Sequence, residues 1–214
     1  MSERWATFDC YGTLIDWNGG IRRELARVFG EERADGQLER YHEVEPSLQA
    51  GGERSYRDVM ALAMRELGAP AAEDDALALA LPSWEPFPEV RGALEEVRGR
   101  GWKLAILSNT DRDFIEVSMQ RIGVPFDLAI VASEIGSYKP GARHWERFAE
   151  HVDVPPERHV HVAQSHFHDI VPASELGLRT VWINRCNELR ETAPTRELPD
   201  LAELPDTLDD LVAA

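Results

Sequence analysis

The sequence predicts an α/β protein, with a doubly wound, parallel, five- to six-stranded Rossmann-like core and a helical cap inserted after the first strand. Three observations carry this. Short apolar runs bounded by turn residues alternate with amphipathic stretches over most of the chain. Gly101, Gly123 and Gly177 stand where left-handed caps would end several of those stretches. Between about residues 16 and 88 only helical patterning occurs.

The first strand is read at 4–9. Four helical segments follow it: 21–29 closing at Gly30, 32–49 closing at Gly51-Gly52, 55–67 before Gly68, and 73–81 stopping at Pro82. Ser55, with Asp58 three residues on, has the form of a capping box. Trp84-Glu85-Pro86-Phe87-Pro88 reads as the return linker. The expected division is therefore a cap at 16–88, lying over the end of the sheet, and a core at 1–15 and 89–214. In the core, helices at 89–100, 111–122, 140–152 and 169–176 alternate with strands at 102–107, 127–132, 159–163 and 179–183. The last 25 or so residues, rich in Pro, Glu and Asp, read as a peripheral tail.

Composition narrows the function classes. With 43% hydrophobic and 29% charged residues, the 214-residue chain can bury a core. It has 23 basic and 39 acidic residues, a formal charge of −16, and no basic cluster to neutralise a phosphate backbone, so no nucleic-acid partner is expected. The longest aliphatic run, 76–81, is too short to span a bilayer, so no membrane partner is expected either. The charged start Met-Ser-Glu-Arg-Trp lacks an apolar signal region, and Cys10 and Cys186 make no disulfide framework; a cytoplasmic home is the expectation. Only Lys103 and Lys139 are lysines among the basic residues. Where arginine is the default cation, a retained lysine points to its compact, titratable ammonium; Lys103, beside a strand, reads as ordinary surface charge.

In open parallel sheets, ligands bind beyond the carboxyl ends of the strands. The first strand delivers Asp9-Cys10-Tyr11-Gly12-Thr13 there, the second Ser108-Asn109, the loop after the third Lys139-Pro140, and the fourth Gln164-Ser165-His166-Phe167-His168-Asp169. Converging Asp9, Lys139 and Asp169 would pair and shift one another's pKa, as active-site groups do.

These stretches, with Gly177 and Val181-Trp182-Ile183-Asn184-Arg185, resemble the haloacid dehalogenase superfamily over essentially the whole chain. They most resemble its type II L-2-haloacid dehalogenases, in which Asp-x-Tyr-Gly-Thr and Trp-Ile-Asn-Arg recur. The resemblance implies hydrolysis of small anionic 2-haloalkanoic acids to 2-hydroxy acids through a covalent aspartyl ester. Asp9 would be the nucleophile, Thr13 would orient it, and Asp169 would position the hydrolytic water. Ser108, Lys139 and the backbone of Cys10 and Tyr11 would hold the substrate carboxylate, while Arg40 and Asn109 would cradle the halide. A homodimer is implied as well.

Phosphatases of the superfamily carry a second Asp where this chain has Tyr11, and bind Mg²⁺ through an acidic position occupied here by Ser165. Both departures point to displacement at carbon with no metal and no cofactor. Two alternatives stay open: a phosphatase with an atypical Mg²⁺ shell, and a non-catalytic binder of small carboxylates. His159, His161, His166 and His168 crowd one segment. Extended, they span about 30 Å at ~3.3 Å per residue, too far for one metal site. His166 or His168 is instead expected beside Asp169, supported by Ser165 and by Trp145, where relatives favour Ser-Ser-Asn-x-x-Asp and Tyr.

Overall fold

Six parallel strands form one sheet in the order β3-β2-β1-β4-β5-β6: β1 (Arg4–Phe8), β2 (Trp102–Ser108), β3 (Leu128–Val131), β4 (His159–Ala163), β5 (Arg179–Ile183) and β6 (Arg196–Leu198). The computed structural model describes residues 3–189 and 192–214; Met1 and Ser2 of the charged start, with Arg190 and Glu191, lie outside them. Strand order reverses between β1 and β4, so a crevice opens at their carboxyl ends, where Asp9 and the 164–169 loop emerge.

Strand alternation sorts the side chains onto two faces. Ala6, Phe8, Leu104, Ile106, Val160 and Val162 belong to the main apolar cluster. It also takes in α5 (Val90–Gly99) and α6 (Arg112–Ile122). Each fully buried side chain such as Phe8 or Ile106 contributes about 1.5–3 kcal/mol. The chain leaves β3 through the short α7 (Ala132–Ile135), and the opposite face packs Trp5, Leu107 and Ile130 against Trp145 and Phe148 of α8 (Arg143–His151) and Ala173 of α9 (Val171–Glu175). Thr7, His159 and His161 share the strands' alternate positions with Trp5 and are buried too, so this face is polar at its centre.

The stretch between β1 and α5 is helical, as predicted: α1 (Trp17–Phe29), α2 (Ala34–Gln49), α3 (Tyr56–Glu66) and α4 (Ala76–Ala80). Asp16 accepts the Gly19 N–H at 3.0 Å and so starts α1 a turn earlier than expected. Ser55 caps α3 by accepting the Asp58 N–H at 3.1 Å and donates to the Asp58 carboxylate at 2.7 Å. Gly52, in the left-handed region at φ +71°, lies so close to Gly136 that a Cβ would stand 2.5 Å from its carbonyl oxygen. The inserted helices and the sheet share one continuous buried cluster, through Leu14, Ile15, Tyr56 and Trp84.

Three expectations need correction. The C-terminal residues are not peripheral. β6 pairs in parallel with β5 from Val181↔Arg196 to Ile183↔Leu198, and α10 (Leu204–Leu211) buries Leu204 and Leu208, followed by buried Val212. Asp209 fastens α10 to the sheet by accepting from Arg4 Nη1 at 2.7 Å and Trp102 Nε1 at 2.9 Å. The Leu201, Leu204, Leu208, Val212 spacing is helical, but the surrounding acids mask it. The helix expected from 140 starts at Arg143, because Pro140 and Gly141 form a turn closed by Gly141 N–H to Tyr138 O. The helix expected from 169 is preceded by a π turn, His166–Ile170, capped by Ser165. Among the described residues no helix is long and apolar enough to cross a membrane.

Candidate active site

A cavity of about 490 Å³ lies over the carboxyl ends of β1, β2 and β4, with α1, α2 and α3 as its far wall. Its floor is a chain of charges. Lys139 is 2% exposed, and its three ammonium protons are all engaged: on Asp9 Oδ1 at 2.9 Å, Asp169 Oδ1 at 2.6 Å and the Leu107 carbonyl at 2.8 Å. The other Asp9 oxygen, Oδ2, accepts from Thr13 Oγ1 at 2.9 Å. Thr13 Oγ1 in turn accepts the Gln164 N–H at 2.9 Å. Gly12, at φ +88°, makes the turn that brings Thr13 back under Asp9; a Cβ there would meet Gln164 at 3.2 Å.

The two carboxylates differ in character. Burial works to raise the Asp169 pKa, but the Lys139 charge and the hydrogen bond from His161 outweigh it and hold the group at about 2. For Asp9 burial wins. With the Asp169 charge beside it, burial lifts Asp9 above the usual carboxylate range despite Lys139 and Thr13. Lys139, pulled down by burial, is carried above its ordinary value by Asp169 and Asp9, so it stays charged.

His161, not His166 or His168, is the imidazole that touches Asp169. Its Nε2 donates to Asp169 Oδ1 at 2.9 Å, and its Nδ1 lies 2.9 Å from Thr7 Oγ1, which is 2.8 Å from His159 Nε2. A carboxylate only accepts, so the proton is on His161 Nε2. The Thr7 hydroxyl bridges the His161 and His159 rings. Burial drives His159 down to about 3, which keeps it neutral. Trp145 packs edge-on against His161, the ring that donates to Asp169, with ring centres 5.3 Å apart. Strand alternation was the available signal for His161. What was missing was the register, Thr7↔His161, which no sequence pattern displays.

The remaining predicted residues fall in several places. Ser108 lines the cavity, and among the described residues its buried hydroxyl has no hydrogen-bond partner. Asn109 lines it too, but its amide braces the Lys139 loop: Oδ1 accepts the Lys139 N–H at 2.7 Å and Nδ2 donates to the Lys139 carbonyl at 3.0 Å. The Tyr11 hydroxyl pairs with Ser118 at 2.9 Å, and its ring stacks on Tyr56. Cys10 is fully buried, and burial with the Asp9 charge pushes its thiol well up, so it is an inert side chain. Ser165 and His168 bond each other at 3.0 Å on the cavity rim, and His166 donates to the Thr192 carbonyl at 2.8 Å. Arg40 is not brought to the site. It lies on the exposed side of α2 and lines no part of the cavity, because the buried stripe runs through Gln37, Tyr41, Glu45 and Gln49, one residue out of phase. Two residues of the Trp-Ile-Asn-Arg segment do support the site. Arg185 donates to the Thr13 carbonyl at 2.9 Å, and Trp182 Nε1 to the Gln164 carbonyl at 2.7 Å.

The donor set does not suit Mg²⁺. Oδ1 of both Asp9 and Asp169 is occupied by Lys139, and the flanking positions offer a phenol, Tyr11, and a hydroxyl, Ser165, instead of carboxylates. Among the described residues no cluster of three or more His, Cys, Asp or Glu could hold a metal ion.

The strand-order reversal brings an aspartate, a lysine and a second aspartate together in the crevice where open parallel sheets bind their ligands. The chain belongs to the haloacid dehalogenase-like hydrolases: the model of that family matches residues 4–177. It is 29% identical over 219 residues to (S)-2-haloacid dehalogenase 1 of Pseudomonas sp. strain CBS-3, with 96% of each chain covered. Among solved structures it superposes on a dehalogenase with an intermediate complex at a TM-score of 0.85, 20% identity, covering 100% of this chain and 98% of that one. L-2-haloacid dehalogenase from Xanthobacter autotrophicus, with chloropropionic acid covalently bound, gives 0.83 at 19% identity, covering 96% and 98%.

Proposed function

We propose that the protein hydrolyses the carbon–halogen bond of small 2-haloalkanoic acids, without a metal, through an ester on Asp9. The observation that carries the reading is the lysine bridge: one ammonium holds two buried carboxylates, and among the described residues no hard-cation donor set surrounds them. Such a floor suits a singly charged substrate better than a phosphoryl group, which needs a metal or several cations.

An Asp9 oxygen attacks the halogen-bearing carbon in line, the carbon–halogen pair leaves on the halide, and an aspartyl ester remains. The ester carbonyl on the Lys139 side is polarised by that ammonium, which makes the Asp9 carbonyl carbon the electrophile for water. Asp169, ionised and fixed by Lys139 and His161, orients the water; one proton goes to solvent and the 2-hydroxy acid leaves. Because the Lys139 protons are all engaged, the substrate carboxylate takes its direct hydrogen bond from the unpartnered Ser108 hydroxyl, with Lys139 acting through charge alone. The relatives named for (S)-2-haloacids support this choice of substrate. A cytoplasmic homodimer completes the proposal.

The test is halide release from a panel of 2-haloacids, with and without EDTA, using Asp9→Asn as the blank. Stoichiometric halide and 2-hydroxy acid, unaffected by EDTA, are expected. Activity lost on chelation, or phosphate esters turned over instead, would overturn the reading. In a single turnover in ¹⁸O-water the label should enter Asp9 before it enters product.

A further inference from the structure

The segment that leaves β5, Trp182-Ile183-Asn184-Arg185, lines no part of the cavity, yet two of its side chains converge on Thr13. The Thr13 hydroxyl accepts the Gln164 N–H at 2.9 Å, and its single proton goes to Asp9 Oδ2 at 2.9 Å. Gln164 is itself fixed from the next strand. Trp182 stands beside Ala163 in the β4–β5 register, and its Nε1 donates to the Gln164 carbonyl at 2.7 Å. The indole is fully buried, where loss of that acceptor would strand a donor.

Arg185 takes the other end of Thr13. Its Nη2 gives one N–H to the Thr13 carbonyl at 2.9 Å and one to Glu89 Oε1 at 2.6 Å. Its guanidinium carbon lies 3.6 Å from the centre of the Phe87 ring. Phe87 and Glu89 lie where the chain returns from the inserted helices, and the Phe87 N–H bonds the Leu14 carbonyl at 3.0 Å, next to Thr13. The guanidinium therefore meets Thr13 already fixed in plane and position. Asn184 bends the chain behind it: Oδ1 accepts the Glu188 N–H at 2.8 Å and Nδ2 donates to the Glu188 carbonyl at 3.1 Å.

We propose that Trp182 and Arg185 are positioning residues for ester formation, holding Thr13 by its side chain and by its carbonyl so that Asp9 Oδ2 is aimed at the substrate carbon. This rests on the displacement reading and deepens it. In that reading Asp9 Oδ1 stays on Lys139 and becomes the ester carbonyl, so Oδ2 is the oxygen that attacks. The Oδ2–carbon bond forms, and the carbon–halogen pair leaves on the halide. In-line attack is sensitive to aim, and a misplacement of about 1 Å costs on the order of 100-fold. Ester hydrolysis draws on Asp169, which Lys139 and His161 hold instead.

The experiment follows a single turnover with enzyme in excess over 2-bromopropionate. Halide release times ester formation, and intact mass reads the ester carried on Asp9. Arg185→Met should slow halide release on the order of 100-fold and Trp182→Phe about tenfold, with no more ester than in the parent. Arg185→Lys keeps a cation but not the plane that lies on Phe87, and should recover part of the loss. The separating measurement is a double-mutant cycle with Thr13→Val, which has no hydroxyl left to aim. In that background Arg185→Met should change halide release by less than about threefold, whereas a role in packing alone would add its full loss. Halide release within about twofold of the parent in both single variants, ester above the parent's level, or a further loss beyond about threefold on top of Thr13→Val would each overturn the proposal. Should Arg185→Met not fold, Trp182→Phe takes its place in the cycle under the same criterion. A parent that releases no halide refutes the displacement reading itself, and the proposal falls with it.

Discussion

The floor and the wall of the cavity are built on opposite principles. On the floor, Asp9, Lys139 and Asp169 are charged, buried and saturated with hydrogen bonds to one another. On the wall, Glu45, Gln49, Tyr56 and His42 are polar but not cationic, and burial there favours neutral forms. A buried charge is tolerable only when paired, and Lys139 gives one proton to each of the two carboxylates and its third to the Leu107 carbonyl. On the proposed reading, chemistry belongs to the floor, and the wall shapes the space left for the substrate.

The sharpest break in this comparison is at the nucleophile. Asp9→Asn keeps the size of the side chain and removes its charge, so turnover of any 2-haloacid should fall by on the order of 10⁴-fold or more. Ligand affinity would survive, with no activity to lose, only in a non-catalytic binder. In the parent, burial holds Asp9 above the usual carboxylate range, so turnover should fall on acidification earlier than an ordinary aspartate would allow. A kcat/KM profile against pH reads this directly.

Lys139→Met comes next, because it attacks the floor's balance. Two carboxylates would face each other without their cation, costing about 3–5 kcal/mol in chemical denaturation. The pH dependence should change sign as well. In the parent, Asp169 sits at about 2, below the ordinary 3.8 of an aspartate, so the stability it adds is present above about 4 and lost as pH falls toward 2. Without Lys139 both groups rise above their unfolded values, and the variant should gain stability as the pH is lowered. Melting temperatures across the acid range would decide it.

His161 tests whether the floor extends beneath the sheet. His161→Phe removes the donor to Asp169 while filling the volume; His161→Gln returns an N–H near the Nε2 position. Ester hydrolysis should slow by roughly 10–100-fold in the Phe variant, as for other hydrogen bonds that orient a site ligand. A burst of halide would then precede a slow steady state, and the ester would be visible as added mass on Asp9. Recovery in the Gln variant separates orientation from packing. A residue that merely packs would show no burst.

How much of this was legible follows the same division. Asp9 and Ser108 lie at strand ends, and Lys139 and Asp169 in the segments that follow β3 and β4, all on the edge to which a parallel sheet delivers them. Reading them required only the order of elements. His161 needed the register between β1 and β4, which depends on long-range pairing. The wall needed the rotational phase of α2, and there a one-residue difference turns a side chain by about 100°. The strand and helix after residue 195 were hidden for a third reason: their acidic surroundings outweighed a short apolar spacing that only α5 and the sheet complete.

Arg40 is the smallest effect and the cleanest check on that phase. Family resemblance makes it the halide's cation, whereas the helix turns it outward and sets Tyr41 and Glu45 inward. Were the resemblance to hold at this residue, Arg40→Ala would cost a buried, charge-assisted contact and raise KM or lower kcat by one or two orders of magnitude. With the side chain in solvent, turnover should stay within about twofold and stability within about 0.5 kcal/mol. A large loss would mean that α2 rotates when substrate binds, bringing arginine to the wall and carrying Glu45 off it.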